Sequence, residues 1–178
     1  MNSGARFSVD DRYLFTLRDE VTNYGAAALS LHPYALISRR GTPPTPGAHD
    51  GLIGMMGDQG LQNVTYKTIE DERFQQFDVT ASMGFADEYR AAILLPDTSA
   101  HVQAEFRSVQ LGPTTTYQAS YLRDRQTVAP GATGSADARL FAGTKESRGC
   151  CGRGRLQQAT RPQQIRSLDQ LGFAVLHH

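Results

Sequence analysis

Tryptophan is missing, cysteine occurs only twice, and the formal charge sums to zero. No apolar run reaches the length of about 18 residues that a bilayer-spanning helix needs, so no membrane span is expected within this chain. Met1–Arg6 is not followed by the apolar stretch of about 7–15 residues that marks a signal peptide; no export signal is expected here. Neutral charge gives no reason to expect nucleic acid as a partner. The two cysteines, Cys150 and Cys151, are neighbours. Adjacent Cα atoms lie about 3.8 Å apart, below the usual bridging range, and a structural zinc site would need a second pair of ligands. Both read as incidental thiols. With no G-x-x-x-x-G-K phosphate loop either, no cofactor or metal is expected.

The 178 residues divide sharply at Lys145–Glu146. Before that point, short alternating segments follow one another, separated by Gly and Pro. After it, residues 147–178 carry five arginines (Arg148, Arg153, Arg155, Arg161, Arg166) and one acid, Asp169, with no strand alternation. We therefore divide the chain into a folded domain over 1–146 and an irregular, largely disordered tail over 147–178. The arginines could form a basic patch for anionic lipid or nucleic acid; sequence with no selected role is the reading preferred here.

Strand patterning is read from period-2 alternation. In Tyr13–Val21, Tyr13, Phe15, Leu17 and Val21 share one side. Ala28–Leu31 follows, His32-Pro33 interrupts because proline removes a ladder donor, and Tyr34–Arg39 resumes. The stretch from Thr42 through Gly51, Gly54, Gly57 and Gly60 reads as a long loop. Val64–Ile69 and Phe74–Val79 read as paired strands joined around Glu70-Asp71-Glu72. Ala91–Leu95, wholly apolar, predicts a strand covered on both faces. Val102–Phe106, Thr115–Tyr121 and Ala136–Ala142 complete the series, with a turn at Val128–Gly131. No amphipathic helix of about 12 residues is found before Glu146. Many short strands with Gly/Pro punctuation predict an all-β antiparallel sandwich.

Candidate chemistry is sparse. A sugar-processing sandwich would need a His and a carboxylate converging as acid and base. His32, His49 and His101 precede the tail, none within a catalytic motif, and they read as surface or loop histidines. Glu70-Asp71-Glu72 and Asp87-Glu88 read as solvated turns rather than a cation site, because consecutive strand carboxylates point to opposite faces. Phe106, Tyr117, Tyr121 and Phe141 could line a sugar-binding groove; at strand spacing they read as core. No catalytic, cofactor-binding or metal residue is assigned, and the chain is not expected to be an enzyme.

Eight segments in order resemble the periplasmic domain of YidC-type bacterial membrane protein insertases. They are Val9–Phe15, Asp19–Asn23, Pro33–Arg39, Gly51–Gly54, Gly57–Gln62, Glu88–Asp97, Val128–Gly131 and Arg139–Gly143. The resemblance implies part of a β-supersandwich of galactose-mutarotase-like shape, held on the periplasmic side of the inner membrane. It also implies Sec translocon components and inserting membrane proteins as partners. The family's bundle of five membrane helices does the insertion, and none of it is present here, so this fragment is not expected to insert proteins by itself. Two departures stand out: the loop Pro43–Asp50, and Ala81, Ser82 and Met83 where the family suggests aromatics. Past Glu146 the family continues with an acidic and apolar segment, whereas this chain does not. Read one base later, with third bases free, Gly149–Gly152 can become VVVD, Leu156–Arg161 YNKQLG and Asp169–Gly172 INWG. The tail is therefore expected to be out of frame. Alternatives are a free-standing carbohydrate-binding or aldose-epimerase-like sandwich, and a silent pseudogene product.

Overall fold

The computed structural model describes residues 2–11, 13–43, 50–72, 74–79, 81–87, 90–97 and 101–144. The proposed tail, His49 and Glu88 lie outside these. Thirteen strands, one short α-helix and a single 3-10 turn at Gly57–Gln59 are found among the described residues. In chain order they are β1 (Asn2–Val9), β2 (Leu14–Thr22), β3 (Leu29–Leu31), β4 (Tyr34–Arg40), β5 (Gly51–Met56) and β6 (Leu61–Thr65). Helix α1 (Tyr66–Glu72) follows, then β7 (Phe74–Val79), β8 (Ala81–Ala86), β9 (Arg90–Leu95), β10 (Val102–Leu111), β11 (Thr114–Arg123), β12 (Gln126–Val128) and β13 (Thr133–Thr144).

Every strand pairing described is antiparallel. A seven-stranded sheet runs β1-β2-β13-β9-β8-β5-β6, a four-stranded sheet runs β4-β11-β10-β7, and β12 pairs with β3 in a short ribbon. The two larger sheets share one core. Leu52, Met56, Met83, Leu94 and Leu140 from the first meet Ile37, Phe106, Tyr117 and Tyr121 from the second. Alternation drives this: along β11, Tyr117, Ala119 and Tyr121 are almost fully buried. The expected antiparallel sandwich is what is found.

Several local expectations are corrected. Strand β1 carries no clear sequence signal, because Asn2–Val9 offers one charge and no strict alternation, yet it pairs with β2 over its whole length. The glycines of β5 suggest a loop. Instead Leu52 and Met56 are fully buried in a strand, and Gly51 marks a close approach, since a Cβ there would lie 2.3 Å from the Val64 carbonyl oxygen. The segment Val64–Ile69 is part strand and part helix rather than strand throughout. Thr65 caps the helix, its Oγ1 accepting from the Thr68 amide at 3.2 Å. Tyr66 and Ile69, three apart, then both fall on the buried side. Strand β8 is a further element that the sequence pattern does not announce; Met83 and Phe85 are its buried residues. Tyr13 precedes β2 in a left-handed conformation, with φ 60°. Strand β9 is not covered on both faces: Leu94 is buried, but Ile93 and Leu95 remain half-exposed.

Candidate interaction surfaces

The densest polar constellation sits where α1 meets both sheets. Arg39, near the end of β4, is the cross-strand neighbour of Tyr117 on β11. Its guanidinium pairs with the Asp87 carboxylate just past β8, and it lies 5.6 Å from the centre of the Tyr66 ring. The Tyr66 hydroxyl donates to Asp87 Oδ1 at 3.2 Å, and the Tyr117 hydroxyl donates to Glu70. The two tyrosine rings tilt against each other with centroids 4.7 Å apart, a spacing at which aromatic pairs attract. Burial pushes both tyrosine hydroxyls well above their ordinary range; for Tyr66, Arg39 opposes this and Asp87 adds to it. The phenols therefore stay protonated and act as donors, while Arg39 and Asp87 neutralise each other. What this arrangement does is fasten α1 to both sheets. Glu70 and Asp87 thus leave the solvated-turn reading: Glu70 is a helical residue holding a core tyrosine, and Asp87 bridges Arg39 and Tyr66.

The histidines do not gather. His32 Nδ1 lies 3.2 Å from the Arg123 carbonyl oxygen, and His101 is exposed just before β10. A cavity of about 30 Å³ is lined by Asp19, His32, Pro33, Gln126 and Val128. It has room for roughly one or two waters, far less than a sugar ring. Burial raises the Asp19 carboxyl above its ordinary value of 3.8. Among the described residues no three His, Cys, Asp or Glu side chains come together as metal ligands would.

Two surfaces are more telling. On the outer face of the seven-stranded sheet, cross-strand registers align Leu14, Phe141, Ile93, Gly84 and Ile53 in one row. Their strand neighbours Leu140, Leu94, Met83 and Leu52 point inward, so Phe141 faces away from the core, correcting its placement with Phe106, Tyr117 and Tyr121. The second surface is β1, exposed along residues 3–9. Phe7 and Val9 are each 56% exposed, and Phe7 rests on Phe15 with ring centroids 5.6 Å apart. Sequence reasoning misses Arg39 and Tyr66 as well as β1. The available signal is the i, i+3 pair Tyr66 and Ile69 directly after a capping threonine.

The YidC periplasmic domain family matches this sequence over residues 4–171. The chain belongs to that family. The membrane protein insertase YidC of Nitrobacter hamburgensis is 54% identical over 144 residues, covering 79% of this chain and 24% of the relative. That of Bradyrhizobium diazoefficiens is 51% identical over 144 residues, covering 79% and 23%. The chain thus spans about a quarter of the length of the curated relatives it matches. Among solved structures, a TPR-domain containing protein from Parabacteroides distasonis aligns with 96% of this chain and 34% of its own, at TM-score 0.46 and 11% identity. A likeness that distant decides nothing.

Proposed function

We propose that this chain is a scaffold and binding element of a YidC-type periplasmic domain, supporting membrane protein insertion in a longer protein rather than catalysing a reaction. The observation that carries this reading is the 54% identity to an insertase of which the chain covers 24%. Its residues 1–146 form the domain, held on the periplasmic side of the inner membrane, where it contacts Sec translocon components. Residues 147–178 are read as an out-of-frame extension. By itself the chain does not insert proteins. In support, among the described residues no helix is long and apolar enough to cross a membrane.

Complementation tests the proposal. In cells depleted of their own insertase, this chain directed to the periplasm should leave insertion of a reporter membrane protein unrestored. A full-length relative carrying this chain's residues 5–144 in place of its own corresponding segment should restore it. Rescue by the chain alone would refute the scaffold reading, and failure of a stably expressed chimera would refute the domain assignment. Sequencing the coding DNA tests the tail: codons 147–178 must read as the family's acidic and apolar segment in the next frame.

A further inference from the structure

We propose that the turns 23–28 and 129–132 together form a lipid-contacting tip, which seats Tyr24 in the interfacial region of a zwitterionic bilayer. Both turns lie at one end of the sandwich. Thr22 on β2 is the cross-strand partner of Thr133 on β13, and Leu29 on β3 is that of Val128 on β12. Asn23, which is buried, stitches the turns together. Its amide donates to the Ala132 carbonyl at 3.0 Å, and its carbonyl accepts from the Gly131 amide at 2.7 Å. Its Nδ2 donates to the Ala27 and Val128 carbonyls at 2.8 and 3.0 Å, and its Oδ1 accepts from the Gly25 amide at 2.9 Å. The Ala132 amide closes the second turn on the Ala129 carbonyl at 3.0 Å. The tip is thus built from internal turns bonded to one another, and its shape is set within the domain.

The chemistry of the tip selects lipid as its occupant. Residues 21–31 and 126–136 include no Asp, Glu, Lys, Arg or His. Along the chain Glu20 comes nearest, three residues behind Asn23, which is about 10 Å at the rise of a strand. An interfacial element sinks about 5–10 Å, so the tip enters before a charged side chain has to leave water. Tyr24 is 71% exposed, followed by the exposed Gly25, Ala26, Ala27 and Ala28. Tyrosine favours the membrane–water boundary, where its ring is in apolar surroundings and its hydroxyl stays wet. The internal hydrogen bonds matter equally, because backbone groups without partners are costly to bring into lipid. A protein partner fits less well. Specific protein interfaces take about 20–30 residues a side and favour arginine, whereas this tip exposes only residues 24–28 and 129–133 and offers no arginine.

The chain has no tryptophan, so Tyr24→Trp places a sole reporter at the tip. Leu111→Trp, at an exposed site beside the β10–β11 turn, is the control. Each 178-residue chain carries a C-terminal histidine tag and is held on phosphatidylcholine vesicles doped with nickel-chelating lipid. The assay is independent of insertion, so its result and that of the complementation test are separable. Emission of the Tyr24→Trp chain should move to shorter wavelength and be quenched by brominated lipid, equally at low and high salt. The Leu111→Trp chain should keep its aqueous emission. Adding Ala129→Glu, which exchanges an exposed methyl for a charge, should return the Tyr24→Trp chain to aqueous emission, with circular dichroism showing the fold kept. Aqueous emission from the Tyr24→Trp chain on vesicles would overturn the proposal. So would an equal shift at both positions, or a shift seen only with anionic lipid at low salt.

Discussion

Gly84 occupies the tightest backbone approach described in the seven-stranded sheet, and replacing it with alanine tests the packing directly. A Cβ at Gly84 would fall 1.8 Å from the Ala92 carbonyl oxygen, and 2.8 Å from both the Ala92 carbonyl carbon and the Ile93 Cα. All three atoms are backbone, so no side chain can swing away. Relief requires β8 and β9 to separate locally, in a ladder where Gly84 is paired with Ile93 and Leu94 beside it is fully buried. Overpacking of this kind costs about 1–3 kcal/mol, and one weakened ladder bond adds about 1 kcal/mol. Gly84→Ala should therefore destabilise the chain by about 2–4 kcal/mol, and lower its melting temperature by about 5–15 °C for a chain of this size. Gly4 is the control. It lies in β1, and a Cβ added there would meet nothing within 4 Å, so Gly4→Ala should be neutral or stabilising by up to about 1 kcal/mol. Urea denaturation followed by circular dichroism reads both. An unchanged midpoint for Gly84→Ala would refute the β8–β9 pairing as described.

Four further outcomes are expected. Thr65→Ala removes the acceptor for the Thr68 amide and should cost about 0.5–2 kcal/mol, measured by the same unfolding curves. Tyr66→Phe and Asp87→Asn, which share a hydrogen bond and the Arg39 contact, should be non-additive by about 0.5–3 kcal/mol in a double-mutant cycle. Burial raises the Asp19 carboxyl above 3.8, so the folded chain holds that proton more tightly than the unfolded chain. Stability should then fall as pH rises through the window above 3.8, and Asp19→Asn should be more stable than the parent at neutral pH, with a flatter pH profile. Burial also pushes Tyr121 up to about 12, against the opposing charges of Arg123 and Arg139. Stability should accordingly decline as pH climbs from 10 toward 12, with tyrosinate absorbance rising as the fold is lost.

The sandwich is legible where alternation is regular. Along β10 and β11, Phe106, Tyr117 and Tyr121 alternate with polar residues, and all three are buried. It is illegible where small residues serve backbone contact rather than side-chain packing. Gly51 looks like loop punctuation and Gly84 stands in a segment with no strand signal, yet both permit strands to come close. Helix α1 is hidden because a seven-residue element offers too few turns for a helical period to outweigh β-branched Val64, Thr65, Thr68 and Ile69. The clamp of Arg39, Tyr66, Glu70, Asp87 and Tyr117 draws on β4, α1, the end of β8 and β11, and no local pattern joins its members. Exposure of β1 is likewise a property of the assembled sheet.

Strand β13 enters the seven-stranded sheet between β2 and β9, although it comes last in chain order among the described strands. Until Thr133–Thr144 has been synthesised, the hairpin at one end and the four strands at the other have nothing to bridge them. Non-local closure of this kind is slow. The composition changes at Lys145–Glu146, just past Thr144, so a chain cut short there would keep the keystone, while one cut a dozen residues earlier would leave the sheet in two halves.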